Sequence, residues 1–274
     1  MADRYAVVGN PVAHSKSPDI HAMFARETGE DLVYERLLAP LDRFVETVQA
    51  FRRAGGRGCN VTVPFKGEAF RFAGEHSERA RVAEAVNVLR FDGDRVFGDN
   101  SDGVGLLRDI EHNLGVPLRG RRVLLLGAGG AAQGVLGPLL SAGPARVAIG
   151  NRTLEKAERL AARFRQAGAA AGPCARSFEA LAGEAFDVVV NATSASLDDA
   201  ELALPAGLFA PGALAYDMMY GKGMTPFLRA ARTEGAALLA DGLGMLVEQA
   251  AESFLVWRGV RPDTANVLAS LRAS

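Results

Sequence analysis

Residues 123–132 read Val123-Leu124-Leu125-Leu126-Gly127-Ala128-Gly129-Gly130-Ala131-Ala132. Four apolar residues lead into a glycine-rich turn, and a helix-forming run follows. The pattern is G-x-G-x-x-A, set between a buried strand and a helix. Gly127 permits the tight turn, Gly129 lets the backbone approach a pyrophosphate, and Ala132 stands where the helix packs on the strand. The helix start offers free N–H groups and the positive end of its dipole to phosphates. The reading is a dinucleotide-binding unit; the competing one is a purely structural turn. The second strand decides which dinucleotide. An NAD site carries an Asp or Glu about 20 residues after the first glycine, to hold the ribose 2′-OH. This chain has Val147-Ala148-Ile149-Gly150-Asn151-Arg152-Thr153 there. A guanidinium and a hydroxyl replace the acid, as a 2′-phosphate requires. The expected cofactor is therefore NADP, unless Arg152 is only a solvated surface arginine.

The alternation spreads outward from that stretch. Upstream, 5–8, 32–38, 58–63, 86–91 and 95–98 read as strands. Residues 18–28, 41–54, 65–73 and 77–83 read as helices, and Asp92-Gly93-Asp94 reads as a hairpin turn. Residues 102–114 form a further helix. Downstream, 146–149, 187–190, 213–216 and 237–239 are strands, and 154–167, 243–258 and 264–271 are helices. The alanine-rich run 167–171 reads as a helix end and loop. Strands alternating with helices imply an α/β fold with mostly parallel sheets and crossover helices.

The chain has 274 residues, 49% hydrophobic and 23% charged, with net charge −1. There is no basic excess for nucleic acid and no run near the ~18 apolar residues of a membrane span. The first residues lack the parts of a signal peptide, so a cytoplasmic protein is expected. Cys59 and Cys174 have no zinc-ligand spacing and read as reduced, buried thiols. His14, His21, His76 and His112 show no metal pattern, and no metal is expected.

Two polar stretches remain. In Gly9-Asn10-Pro11-Val12-Ala13-His14-Ser15-Lys16-Ser17-Pro18, an extended backbone points Ser15 and Ser17 the same way. Ser17 is a natural N-cap before Pro18. Ser15 is not explained by capping, and the two hydroxyls at a helix start make a small anion site that suits a carboxylate. In Asn60-Val61-Thr62-Val63-Pro64-Phe65-Lys66, Thr62 shares a strand face with Asn60. Lys66, just past the proline, suits either general acid/base work or plain solvation.

GNPVAHSKSP, NVTVPFK, AVNVL (85–89), GDNSDGVG (98–105), GAGGAAQGV, NRT, NATS (191–194), YDMMYGKGMTPFL (216–228) and ADGLGMLVEQAA (240–251) occur in order. Together they resemble the shikimate dehydrogenase family in its NADP-dependent, biosynthetic form, essentially end to end. The first, fourth and last stretches are specific to that family; the glycine loop is not. The resemblance implies reversible reduction of 3-dehydroshikimate to shikimate. It implies that Ser15 and Ser17 bind the substrate carboxylate, that Lys66 is the acid/base, and that Asp102 pairs with it. It implies that Thr62, Asn87, Tyr220 and Gln249 surround the ring hydroxyls or carboxylate. Gly127, Ala128, Gly129, Gly130 and Ala131 match the pyrophosphate loop, and Asn151, Arg152, Thr153 and Lys156 the adenosine-phosphate loop. Met218 and Gly242 match positions near the nicotinamide, and Glu78 a further cofactor-side position. Gln249 alone reads equally as a half-exposed polar residue; the resemblance favours a substrate contact.

The implied architecture has two α/β domains with a cleft between them. Residues 1–103 form the substrate domain, 104–240 the NADP-binding Rossmann domain, and 241–274 helices that return to the first. The partners are small molecules, as a monomer or homodimer. Three positions depart from the family pattern: Ser101 stands for the usual threonine, Val88 for another, and Ala195 for the glycine after NATS. A quinate/shikimate dehydrogenase with looser cofactor use and a non-catalytic NADP-sensing regulator are the rivals.

Overall fold

The computed structural model describes residues 2–166, 172–193, 203–221 and 223–273. The alanine-rich run 167–171 and the positions after NATS, 194–196, lie outside the described residues. The chain splits into two compact units, one of Met1–Gly105 with Leu246–Ser274 and one of Leu106–Met245.

The first unit runs β1 (Asp3–Gly9), α1 (Ser17–Thr28), β2 (Leu32–Leu38), α2 (Phe44–Arg53), β3 (Gly56–Val61), α3 (Lys66–Phe72), β4 (Glu75–His76), α4 (Glu78–Ala83), β5 (Val88–Asp92) and β6 (Arg95–Asp99). The strands form one sheet in the order β2-β1-β3-β5-β6-β4. β1 pairs parallel to β2 and β3, and β4 parallel to β6. The β5–β6 hairpin inserts antiparallel pairings, with Gly93 at φ 58° in its turn. One face of the sheet closes over Val8, Phe44, Phe51, Phe65 and Leu89. Helix α5 (Asp102–Arg108) leaves this unit at its N-terminus.

Further buried aromatic packing surrounds His21, which has no exposed surface. Its ring stacks on Tyr34 with centroids 4.2 Å apart and lies 5.4 Å from Trp257. Burial pushes its pKa down from 6.5 to about 3. Between those values the unfolded chain binds a proton that the folded chain does not. Stability held above pH 6.5 is therefore lost as pH falls toward 3. The loss reaches about 1.4 kcal/mol per pH unit. His21→Phe keeps the stacking and removes the proton. Urea unfolding between pH 7 and 4 should show a shallower fall in the variant; parallel wild-type and variant curves would sink the assignment.

The second unit runs β7 (Arg122–Leu126), α6 (Gly130–Ser141), β8 (Arg146–Gly150), α7 (Leu154–Gln166), β9 (Cys174–Arg176), β10 (Phe186–Asn191), β11 (Phe209–Asp217), α8 (Pro226–Thr233) and β12 (Leu238–Ala240). Its sheet has the order β12-β11-β10-β7-β8-β9, and every pairing is parallel. Parallel strands covered on both faces explain the unbroken apolar runs VLLL (123–126) and VVV (188–190). The chain closes with α9 (Leu243–Arg258) and α10 (Ala265–Ala273).

Several expectations need correction. Ser17 is not the N-cap: Lys16 takes the flanking position in an αR conformation, and Ser17 is already helical. β3 ends at Val61, so Thr62 lies beyond the strand, although its N–H still donates to Val8 O at 2.9 Å. The helix expected over 102–114 is α-helical only to Arg108, and Asp109–Asn113 is a π turn. Cys174 is half-buried rather than buried. β4 and β9 are too short to carry a period. Helix α8 begins at a Thr-Pro pair: Thr225 caps it, accepting from Leu228 N at 3.3 Å, and Pro226 opens it.

Candidate active site

Lys66 opens α3, two residues after the proline that ends the extended segment, and its carbonyl accepts from Val86 N at 3.0 Å. Asp102 is the first residue of α5. Lys66 Nζ donates to Asp102 Oδ2 at 2.6 Å, with the side chains 16% and 7% exposed. A charge-assisted hydrogen bond this sheltered is a directed contact, unlike a solvated surface pair. The other carboxylate oxygen, Oδ1, accepts from Asn87 Nδ2 at 2.7 Å. Asp102 N donates to Asn100 Oδ1 at 3.1 Å, and Asn100 Nδ2 to Ala85 O at 3.0 Å. Just upstream, Asp99 accepts from Arg79 Nη2 at 2.5 Å and from Ser77 Oγ at 2.5 Å. Burial raises the proton affinity of Asp99, but Arg79 outweighs it and the pKa lies below the ordinary value. The backbone leading into Asp102 is thus pinned by buried polar bonds.

Ser15 and Ser17 lie together as expected, though through a bent rather than an extended backbone. Ser15 Oγ contacts Ser17 Oγ at 3.1 Å and accepts from Ser17 N at 3.3 Å. Arg36 fixes the same residue, donating to Ser15 O through Nε at 3.1 Å and Nη2 at 2.6 Å. Thr62 is half-buried, its methyl packed where a side chain on Gly9 would stand. Gln249 is buried on α9, with Oε1 accepting from Ser101 Oγ at 3.3 Å and Nε2 donating to Leu246 O at 2.9 Å. All these residues belong to the first unit. Glu78 also belongs there; it is exposed on α4 and paired with Arg81 at 2.5 Å.

In the second unit Gly127 has φ 108°, a conformation that side chains rarely adopt, and its N–H donates to Gly150 O at 2.8 Å. A Cβ on Gly129 or Gly130 would meet no atom within 4 Å, so the loop backbone lies open to an approaching ligand. Ala128 and Ala131 are half-buried beside it, and Ala132 is fully buried on the inner face of α6. At the end of β8, Asn151 Nδ2 donates to Thr153 O at 2.8 Å, turning the chain into α7. Arg152, Thr153 and Lys156 are exposed there, with no carboxylate at the strand end. Open amides at a helix start and exposed cations after the second strand fit a dinucleotide with a 2′-phosphate. Met218 and Gly242 meet: a Cβ on Gly242 would overlap Met218 O, and Gly242 N donates to Met219 O at 3.0 Å. Tyr220 is half-buried just beyond Met218.

Sequence reasoning missed the polar residues that anchor these loops. Asp217 is fully buried and accepts from Asn191 Nδ2 at 3.0 Å, Met219 N at 3.1 Å and Thr225 Oγ1 at 2.6 Å. The signal was a polar residue closing each apolar strand, FDVVVN and ALAYD. Asn60 was seen only as a neighbour of Thr62. It accepts from Tyr34 OH at 2.7 Å and donates to Ser253 Oγ at 2.9 Å and Asn87 O at 3.1 Å.

Three family models match the chain: the shikimate dehydrogenase substrate binding domain over residues 7–89, shikimate/quinate 5-dehydrogenase over 110–198, and the shikimate 5′-dehydrogenase C-terminal domain over 242–272. A relative named shikimate dehydrogenase (NADP(+)) from Aromatoleum aromaticum is 64% identical over 270 residues, covering 98% of this chain and 97% of that one. Among solved structures, an Ael1 enzyme from Pseudomonas putida is 53% identical, with TM-score 0.91 and 98% of each chain covered. Shikimate 5-dehydrogenase from Thermus thermophilus, in complex with NADP(H) and shikimate, is 36% identical, with TM-score 0.87 and 99% of each chain covered.

Proposed function

The chain belongs to the shikimate dehydrogenase family, and we propose how its own residues carry out the reaction. It is an NADP-dependent oxidoreductase that interconverts 3-dehydroshikimate and shikimate, a step of aromatic amino acid biosynthesis. The single observation that carries the assignment of roles is the sheltered Lys66–Asp102 bond of 2.6 Å. Bound NADPH supplies the hydride. As the ketone accepts it, negative charge develops on the carbonyl oxygen. Lys66 Nζ, as the ammonium, meets that charge and delivers the proton. Asp102 holds the ammonium in place, and Asn87 holds Asp102.

Ser15 and Ser17 take the substrate carboxylate, two neutral hydroxyls at the first turn of α1. Thr62, Asn87, Tyr220 and Gln249 surround the ring hydroxyls or the carboxylate. Residues 127–131 hold the pyrophosphate through open amides. Asn151, Arg152, Thr153 and Lys156 hold the adenosine 2′-phosphate, and Met218 and Gly242 border the nicotinamide. Glu78 is a further cofactor-side position on the resemblance alone. Apart from Tyr220 and Glu78, the site residues of Met1–Gly105 and Leu246–Ser274 serve the substrate and those of Leu106–Met245 the cofactor. Among the described residues no helix is long and apolar enough to cross a membrane. The working form is a cytoplasmic monomer or homodimer that takes small-molecule substrates.

Initial rates with shikimate or quinate against NADP or NAD, followed by nicotinamide absorbance, test the reading. Fast turnover with shikimate and NADP alone is expected. Comparable quinate or NAD turnover would move the chain to the looser relative. NADP binding without turnover of any pair would make it a regulator.

A further inference from the structure

Ser101, next to Asp102, is fully buried. Its backbone N–H donates to Asn87 Oδ1 at 2.8 Å. That bond decides which end of the Asn87 amide is oxygen, and so turns Nδ2 toward Asp102 Oδ1. Asn87 Nδ2 also donates to Ser101 Oγ at 3.0 Å.

The Ser101 hydroxyl has one hydrogen to place and three oxygens at 3.3 Å: Asn87 Oδ1, Ser253 Oγ and Gln249 Oε1. The first already takes the shorter bond from Ser101 N. The second already accepts from Asn60 Nδ2 at 2.9 Å and spends its own hydrogen on Gln249 O at 2.9 Å. Gln249 Oε1, whose other donor is Asn87 Nδ2 at 3.5 Å, is the least occupied of the three acceptors, and a hydrogen aimed there turns Nε2 toward Leu246 O. A flipped Gln249 would set its NH2 against the NH2 of Asn87, now 3.5 Å from Oε1, and its oxygen against a carbonyl.

We propose that Ser101 is a positioning residue for two active-site amides: its hydroxyl orients Gln249 on α9 and gives Asn87 Nδ2 an acceptor that reinforces the orientation its backbone N–H favours. The inference rests on the reaction proposed above. The hydroxyl matters because each amide has two nearly isosteric orientations, only one of which serves the site.

The test compares Ser101→Ala, Ser101→Thr and Ser101→Cys in the full chain. The readouts are kcat and KM for shikimate, NADP affinity, and folding by circular dichroism. Ser101→Ala should lower kcat/KM for shikimate about tenfold, with NADP affinity unchanged. Ser101→Thr keeps the hydroxyl and should recover most of it. A role in packing alone predicts the opposite order, because threonine adds a methyl to a filled site and alanine adds nothing. Should the alanine variant not fold, Ser101→Cys, a poor donor of similar size, should stay well below Ser101→Thr. An active wild type with an unimpaired Ser101→Ala, or Ser101→Thr no better than alanine or cysteine, overturns the positioning role. An inactive wild-type chain overturns the reaction instead.

Discussion

Lys66→Ala is expected to lower kcat for shikimate oxidation by about three orders of magnitude, while NADP binds as it does to the wild type. The size follows from what the residue does. A positioned acid/base contributes roughly 10²- to 10⁴-fold, and Lys66 is also the cation facing the developing oxyanion. The fold should survive the change. Asp102 keeps its hydrogen bond from Asn87 Nδ2, so the carboxylate is not stranded without a donor. The backbone that carries Lys66 is held by Val86 N, which no side-chain substitution removes. Cofactor binding should survive too, because the open glycine loop and exposed Arg152 belong to the other unit. Initial rates and NADPH fluorescence titration on the same preparation separate the two effects. Turnover within a few-fold of wild type would remove Lys66 from the chemistry. Loss of NADP binding together with turnover would show that the residue supports the structure at large.

The elements whose physics is local were legible in the sequence. VLLLGAGGAA fixed a strand, a positive-φ turn at Gly127 and a helix start, because each rests on neighbours within ten residues. The strands of the parallel sheet announced themselves as apolar runs, and the hairpin as Asp-Gly-Asp. What was not legible depends on partners far along the chain. Ser17 carries every mark of an N-cap, yet Lys16 takes an αR backbone and the hydroxyl meets Ser15 instead. The π turn at Asp109–Asn113 has no periodic signature. It begins at Asp109, whose Oδ2 accepts from Tyr216 OH at 2.6 Å, across 107 residues of sequence. Ser101 looked like a threonine short of one methyl. Its weight comes from Asn87, Gln249 and Ser253, 14, 148 and 152 residues away. Spacing could nominate Lys66, but its sheltered partner comes 36 residues later, from the start of a different helix.

Arg152→Asp should reverse the cofactor preference. The exposed turn after β8 presents Arg152 and Thr153, with Lys156 one helical turn further on. A guanidinium grips a phosphate through parallel hydrogen bonds that a ribose hydroxyl cannot return. A carboxylate in its place repels the 2′-phosphate and accepts from the 2′-OH. Repulsion and lost contact act together on NADP, so kcat/KM for NADP should fall about a hundredfold. The fall should lie in KM, since the turn holds the adenosine end and Lys66 does the chemistry elsewhere. NAD use should rise more modestly, because Lys156 remains and the turn was not built around a carboxylate. Asn151 keeps the turn itself, through its bond to Thr153 O, so the variant should bind NAD on an intact loop. The effect on NADP should weaken as salt rises, as expected for exposed charges. Steady-state rates with both cofactors at two ionic strengths measure all of this. An unchanged preference would mean that neither the arginine nor the missing acid sets the selectivity, and that position 152 only faces solvent.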